Sequence, residues 1–167
     1  SQSELAVKRA KKEIEKINNF IKKIEGDNRF QSMIFIGIGG SELGPQAAYL
    51  ALQGLDFEKG KEIHFLANID PDDASRVLKK VDLTETLVVV VSKSGNTIET
   101  RSNADRVHAA FVKEGINPKE HFVAITMEGS SMDSTDVYRE VFYIWDYIGG
   151  RYSVSSMVGL LPLAFAY

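Results

Sequence analysis

The residues that point most directly to chemistry form one short segment, Ser92-Lys-Ser-Gly-Asn-Thr97. Four of its six side chains carry a hydroxyl or an amide, one carries an ammonium group, and the glycine permits a tight turn. A helix is predicted to follow directly, with Asn96 and Glu99 at the spacing of a capping box. Unpaired amides at a helix N-terminus, together with hydroxyl donors, suit a phosphate-sized anion. An ordinary strand-to-helix turn that only caps the helix is the alternative, and the spacing alone leaves both open.

A second segment, Gly37-Ile-Gly-Gly-Ser-Glu-Leu-Gly44, is close to two nucleotide-binding patterns and matches neither. A dinucleotide fingerprint needs glycine where Glu42 stands, and a carboxylate there would repel a pyrophosphate. A Walker-type loop needs Lys and then Ser or Thr where Pro45 and Gln46 stand. We therefore predict a loop whose backbone comes close to a small ligand, with the Ser41 hydroxyl available to it.

A third segment, Gly149-Gly-Arg-Tyr-Ser153, repeats the pattern of small residues at a predicted sheet edge. Two glycines before Arg151 would let the backbone fold closely enough to aim the guanidinium inward. Arginine stays charged at any working pH and can stabilise an oxyanion. The alternative is a surface arginine after a turn, and Ser153 is expected to cap the final helix.

Apolar runs that alternate with helical patterns predict the elements that position these three segments. The run Leu87–Val91 is typical of a strand covered on both faces, and the alternation indicates an α/β fold with a parallel sheet. Such sheets bind ligands beyond the carboxyl ends of their strands, near a switch in strand order, where residues 37–41 and 92–97 are expected. The predicted strands are 33–36, 63–66, 87–91, 122–125 and 141–144. The predicted helices are 3–25 with an inward stripe of Ala10, Ile14, Ile17, Ile21 and Ile24, 44–53 with Pro45 in its first turn, a short helix from Pro71, and a long one ending near Glu114.

Composition and charge exclude several classes of protein. The chain has 167 residues, no cysteine, and 20 basic against 23 acidic residues, for a net charge of −3. One domain without a dominant basic face is a poor nucleic-acid binder, and the lack of cysteine excludes a disulfide scaffold or a thiolate nucleophile. No apolar run is long enough for a membrane span, so we expect a soluble cytoplasmic protein. The three histidines are scattered and predict neither a metal site nor a catalytic triad.

The two ends of the chain suggest a fragment. The first residue is Ser1 rather than methionine, and the last stretch, 157–167, is an apolar segment without a polar tail. We therefore expect a longer parent protein.

The three segments together closely resemble the glucose-6-phosphate isomerase family. The resemblance is carried by Gly37-Ile-Gly-Gly-Ser-Glu-Leu-Gly-Pro45, Val91-Ser-Lys-Ser-Gly-Asn-Thr-Ile-Glu-Thr100 and Gly149-Gly-Arg-Tyr-Ser-Val-Ser155, in the family's order. It implies the family's sugar-isomerase (SIS) domain, a flavodoxin-like three-layer sandwich with a five-stranded parallel sheet between helices. The implied division is an N-terminal helix over residues 1–30 packed on a SIS domain over 31–167.

The resemblance also implies an activity and a set of site residues. The family interconverts glucose 6-phosphate and fructose 6-phosphate in glycolysis and gluconeogenesis, through a cis-enediol(ate) and without a metal or organic cofactor. By the match of motifs, Gly40 and Ser41 line the sugar and Arg151 stabilises the enediolate. The substrate phosphate is bound by side chains or backbone of Ser92, Lys93, Ser94, Gly95, Asn96 and Thr97.

Two features limit what the resemblance implies for this chain. Asn96 stands where many family members have threonine, which changes one donor. The family's glutamate base and its ring-opening histidine and lysine lie in the second half of the enzyme, and nothing here matches them. We expect a chain that binds sugar phosphate weakly and isomerises it poorly, from an enzyme that is a homodimer. The alternative is a non-catalytic SIS module that senses a phosphosugar, and a nicotinamide-dependent dehydrogenase is a third possibility.

Overall fold

The sheet is the part of the fold that positions the predicted site. The computed structural model describes residues 1–55 and 59–167. All four strand pairings are parallel, and the order across the sheet is β2-β1-β3-β4-β5. The predicted α/β fold and five-stranded parallel sheet are therefore confirmed. The strands are β1 Ser32–Ile36, β2 Glu62–Leu66, β3 Thr86–Val91, β4 Phe122–Thr126 and β5 Glu140–Tyr143.

Helices cover both faces of this sheet and make it the middle of three layers. Along β1, Met33 and Phe35 face a core that includes residues of the first, second and last helices. Ile34 and Ile36, which alternate with them, face a second core on the opposite side. The helices are α1 Gln2–Gly26, α2 Gly40–Leu52, α3 Pro71–Leu78, α4 Ile98–Lys113 and α5 Met157–Ala166, with short 3₁₀ turns at Leu83–Glu85, Pro118–Glu120 and Gly150–Ser155.

Helix α1 lies against the last strand of the sheet and shares the first core. Its predicted inward stripe is confirmed for Ile17, Ile21 and Ile24, whereas Ala10 is exposed, Ile14 is 43% exposed, and both were wrongly assigned to the core. The buried carboxylate of Glu13 accepts a hydrogen bond from the Tyr143 amide at 2.9 Å. Burial raises the pKa of this carboxyl. A charged side chain thus closes part of the exposed edge of β5, which limits pairing with other strands.

Three sequence-based predictions about helix ends are wrong. Helix α2 begins at Gly40, so that Pro45 lies inside the helix rather than in its first turn. Helix α4 has Thr97, not Asn96, at its N-cap position, and the Thr97 side chain makes no capping hydrogen bond. Helix α5 is capped by Ser156, because Ser153 belongs to the 3₁₀ turn before it.

The strand order reverses between β1 and β3, which are neighbours in the sheet. From β1 the chain crosses to β2 on one side, and from β3 it crosses to β4 on the other. Loops that leave the two strands therefore diverge and open a crevice between them, as in other doubly wound sheets. Residues 37–41 and 92–97 occupy this crevice, as predicted. Among the described residues, no helix combines the length and the apolarity needed to cross a lipid bilayer.

Candidate functional site

Three loops meet at the carboxyl edge of the sheet. We call residues 37–41 the glycine loop, 92–97 the serine loop and 149–153 the arginine loop. The glycine and arginine loops touch through their backbones, since a Cβ atom added at Gly40 would lie 2.4 Å from the carbonyl carbon of Gly150. The buried Ser153 hydroxyl donates to the Gly40 carbonyl at 3.2 Å. Glycine at position 40 is therefore a packing requirement of the site.

A cavity of about 350 Å³ opens between the glycine and serine loops. Five predicted binding residues line it, and four other residues complete its wall. Its polar groups are mostly hydroxyls, which can donate to an anion or to a sugar. Arg151, Gly40, Gly95 and Asn96 are not among the lining residues. The lining is formed by Ser41, Ser92, Lys93, Ser94 and Thr97 of the predicted set, with Ile38, Val91, Thr100 and Met127.

Hydrogen bonds within the serine loop fix its shape. The hydroxyls of Ser92 and Thr97 lie 2.9 Å apart, and the Thr97 amide is 3.4 Å from the Ser92 hydroxyl. The Gly95 amide donates to the Ser92 carbonyl at 3.2 Å, and the Asn96 amide donates to the Ser94 hydroxyl at the same distance. The loop is thus held by its own hydrogen bonds, and its hydroxyl groups line the cavity.

The N-terminus of α4 faces this cavity without a cap. The Thr97 side chain accepts no capping hydrogen bond from the first-turn amides, so these amides can donate to an anion at the positive end of the helix dipole, where Glu99 is the one acidic residue of the turn. The Thr100 hydroxyl lies one turn into the helix, is buried, and has no hydrogen-bond partner in the described part of the chain. A buried hydroxyl without a hydrogen-bond partner lowers the stability of the fold unless a ligand or a water molecule bonds to it. Sequence reasoning missed Thr100, although its position three residues after Thr97 places both on one helix face.

The loop between β4 and β5 supports the serine loop from outside. Gly95 has φ +76°, and the Ser131 hydroxyl donates to its carbonyl at 3.0 Å. The same hydroxyl lies 3.2 Å from the Asn96 side-chain oxygen, so the Asn96 side chain points toward the β4–β5 loop. The Thr126 hydroxyl donates to the Ser92 carbonyl at 2.7 Å. Ser131 and Thr126 were also missed, because their distance along the chain from the serine loop gives no sequence signal.

Arg151 does not enter the cavity. Its side chain is exposed, and its guanidinium stacks over the ring of Tyr152 at 5.1 Å from the centroid. The expectation that the two glycines aim this side chain inward is therefore wrong, since the guanidinium lies on Tyr152. The backbone at Arg151 nevertheless lies against Gly40.

No acidic or imidazole side chain of the described residues lines the cavity. Glu42, in the first turn of α2, is buried, and burial raises the pKa of its carboxyl. The three histidines lie apart, and over residues 1–55 and 59–167 no three acidic or histidine side chains are grouped to hold a metal ion. The described side chains therefore suit binding of an anion and offer no carboxylate base at the cavity.

Comparison with known proteins agrees with this arrangement. The family model described as phosphoglucose isomerase matches residues 2–167. The chain belongs to the phosphoglucose isomerase family. One curated relative, glucose-6-phosphate isomerase of Protochlamydia amoebophila, is 48% identical over 163 residues, which is 97% of this chain and 30% of that protein. The chain thus spans about a third of the length of its relatives in the phosphoglucose isomerase family.

Solved structures place the same fold in the phosphoglucose isomerase family and beyond it. A crystal structure of a glucose-6-phosphate isomerase from Chlamydia trachomatis superimposes with a TM-score of 0.95 at 44% identity, covering 100% of this chain and 32% of that one. The sugar isomerase domain of an RpiR transcription factor from Sphaerobacter thermophilus has a TM-score of 0.55 at 17% identity, covering 95% and 84% of the two chains. The second likeness shows the fold alone. The predicted family and three-layer architecture are confirmed.

Proposed function

We propose that this chain is the phosphate-binding portion of a glucose-6-phosphate isomerase and that its cavity binds the phosphate group of the sugar. The observation that carries the proposal is the buried, partnerless Thr100 hydroxyl beside the uncapped N-terminus of α4. Ser92 and Thr97 add hydroxyl donors at the same place. A phosphate group would accept hydrogen bonds from all of these donors and would complement the helix dipole.

The sugar would extend from the phosphate toward the glycine and arginine loops. Ser41 lines the cavity on that side, and Gly40 lies against the backbone of Arg151. In the aldose–ketose reaction a proton moves between C1 and C2 of the open sugar, and negative charge develops on an enediolate oxygen. The Arg151 guanidinium, rotated from its stack on Tyr152, would stabilise that charge.

Among residues 1–55 and 59–167 no carboxylate or imidazole lines the cavity, so none of these residues is assigned as the general base. Loss of a base alone lowers the rate by roughly 10²–10⁴-fold. We therefore infer that the chain by itself binds substrate and isomerises it very slowly, and that the remaining part of the enzyme supplies the base. The homodimer, the cytoplasmic location and the division into residues 1–30 and 31–167 stay predictions.

Replacing Ser92 or Thr97 with alanine tests the phosphate assignment. Each change should weaken binding of glucose 6-phosphate by about 1–3 kcal/mol, because a hydrogen bond to a charged group is lost. Isothermal titration calorimetry measures this loss, with unphosphorylated glucose as the second ligand. Binding of glucose should hardly change, and the exposed Ser75→Ala variant in α3 should behave as the original chain. Equal losses for both ligands would contradict the proposal.

Thr100→Val separates ligand binding from stability. Valine has nearly the shape of threonine and removes a buried hydroxyl without a partner, so the ligand-free chain should be as stable or about 1 kcal/mol more stable. The affinity for inorganic phosphate should fall by about tenfold, because one donor to a charged group is lost. Urea unfolding and calorimetry measure the two effects. A variant that binds phosphate as tightly as the original would remove Thr100 from the site.

A further inference from the structure

The Lys93 ammonium group bonds to the turn at residues 146–148, which leads into the arginine loop. Its Nζ atom donates to the Asp146 carbonyl at 2.6 Å and to the Ile148 carbonyl at 3.0 Å. These two carbonyls belong to the turn that directly precedes Gly149 and Gly150. Hydrogen bonds from a cation to carbonyl oxygens are stronger than those between neutral groups, so this contact holds two loops together across the mouth of the site.

Both of these carbonyl oxygens accept their hydrogen bond from Lys93. Within residues 1–55 and 59–167, no other donor lies within hydrogen-bond distance of either oxygen. The turn itself is closed by one bond, from the Ile148 amide to the Trp145 carbonyl at 3.0 Å. Without the ammonium group, the segment before Arg151 would lose the two hydrogen bonds that join it to the serine loop. It would keep the packing of Ile148 on the first core, the backbone contact between Gly150 and Gly40, and the hydrogen bond from Ser153 to Gly40.

The backbone of Lys93 is also held by a hydrogen bond. Its carbonyl accepts a hydrogen bond from the Met127 amide at 3.0 Å, and its neighbour Ser92 accepts one from Thr126. The Lys93 backbone is thus bonded to Met127 after β4. Its side chain is bonded to the turn at residues 146–148, directly before the arginine loop. A shift of the serine loop on ligand binding would be transmitted through the lysine side chain to residues 146–149.

We propose that Lys93 is a positioning residue whose ammonium group couples the serine loop to the arginine loop, so that binding of phosphate orders the backbone that carries Arg151. This inference rests on the proposed function for the identity of the ligand, but the tether itself does not. Lys93 would then contribute little direct charge to the phosphate, because its ammonium is engaged with carbonyl oxygens.

Amide hydrogen exchange of the ligand-free chain tests the tether without reference to any ligand. In Lys93→Met, which keeps the length of the side chain and removes the donor, the amides of residues 149–153 should exchange about tenfold faster, as expected for loss of one strong local contact. Lys93→Arg should restore slow exchange, since arginine also donates to carbonyls. The exposed Lys113→Met variant is the matched control and should leave these amides unchanged. Unaltered exchange in Lys93→Met would overturn the inference.

Ligand binding then distinguishes positioning from direct recognition. In Lys93→Met the affinity for glucose 6-phosphate should fall by about tenfold, whereas the affinity for inorganic phosphate should fall less than threefold. In an Arg151→Ala background, Lys93→Met should cost no further affinity for the sugar phosphate, because the two changes disable one coupled element. Equal losses for both ligands, or additive losses in the double variant, would show a direct charge contact and overturn the inference. If the original chain binds neither ligand, the proposed function fails, and the exchange experiment still decides the tether.

Discussion

Gly40→Ala is expected to lower the free energy of unfolding by about 3 kcal/mol, the upper end of the usual range for overpacking a close contact. A Cβ atom at this position would lie 2.4 Å from the Gly150 carbonyl carbon and 2.6 Å from the Arg151 amide nitrogen. Both are backbone atoms, so no side chain can rotate to relieve the contact. The start of α2 and the arginine loop must separate, and binding of sugar phosphate should weaken with them. Urea unfolding followed by calorimetry measures both losses.

Gly26→Ala provides the control for this experiment. Gly26 is the last residue of α1, its φ is not positive, and nothing lies within 4 Å of an added Cβ atom. Alanine there should leave stability unchanged or raise it by up to about 1 kcal/mol, since it favours the helix and restricts the unfolded chain. If Gly40→Ala were as stable and bound phosphate as well as Gly26→Ala, the loops would not meet as described.

The sheet could be predicted because its signal lies in consecutive residues. Leu87–Val91 is apolar throughout, and both faces of β3 are buried. The predicted strand ends differ by a residue because polar residues such as Thr86 and Glu140 are paired in the sheet. Local hydrophobicity gives no signal for those paired ends, since their backbone bonds are independent of side-chain type.

The start of α2 could not be predicted from local propensity. The segment from Gly40 to Gly44 contains two glycines, which disfavour a helix by roughly 1 kcal/mol each. Both are required by contacts distant in sequence: Gly40 lies against Gly150, and a Cβ at Gly44 would lie 3.0 Å from the Val154 side chain. Tertiary packing therefore overrides the local preference here.

The candidate site was only partly visible in the sequence. The serine loop stood out because hydroxyls, a lysine and a glycine follow a buried strand. Thr100 gave no such signal, because its significance comes from burial without a partner. The inward direction of Arg151 was inferred from flexibility of the glycines, whereas the structure stacks the guanidinium on Tyr152. Side-chain direction in an exposed loop depends on neighbours that the sequence does not identify.

A second polar cluster lies at the opposite end of the sheet, around the fully buried His121. Its Nδ1 atom lies 2.8 Å from the Thr86 carbonyl, and its Nε2 atom lies 2.7 Å from an Arg29 nitrogen. Arginine can only donate, so Nε2 accepts and Nδ1 donates, which fixes the neutral tautomer. The ring also packs edge-on against Phe30 and Phe111. Protonation would place an imidazolium directly against a guanidinium.

This arrangement predicts a loss of stability in mild acid. Burial, with the nearby charges of Arg29 and Arg139, lowers the pKa of His121, although the Thr86 carbonyl and Glu120 oppose the shift. In the unfolded chain the imidazole takes up its proton near its ordinary value of about 6.5, whereas in the folded chain it stays neutral to lower pH. The stabilisation is therefore complete above pH 6.5. It falls by up to about 1.4 kcal/mol per pH unit as the pH drops from there toward the folded-state pKa.

His121→Asn isolates this effect, because asparagine keeps a donor toward the Thr86 carbonyl and does not titrate. At pH 7.5 the variant should be about 2 kcal/mol less stable, since buried ring contacts are lost. Its deficit should shrink as the pH falls from 6.5 to 5, because only the original chain then loses the His121 contribution. Glu13, Glu42 and His64 also have shifted pKa values, but both chains share them, so they cancel in the difference. A deficit of constant size for His121→Asn would mean that His121 has an unshifted pKa and would contradict the prediction.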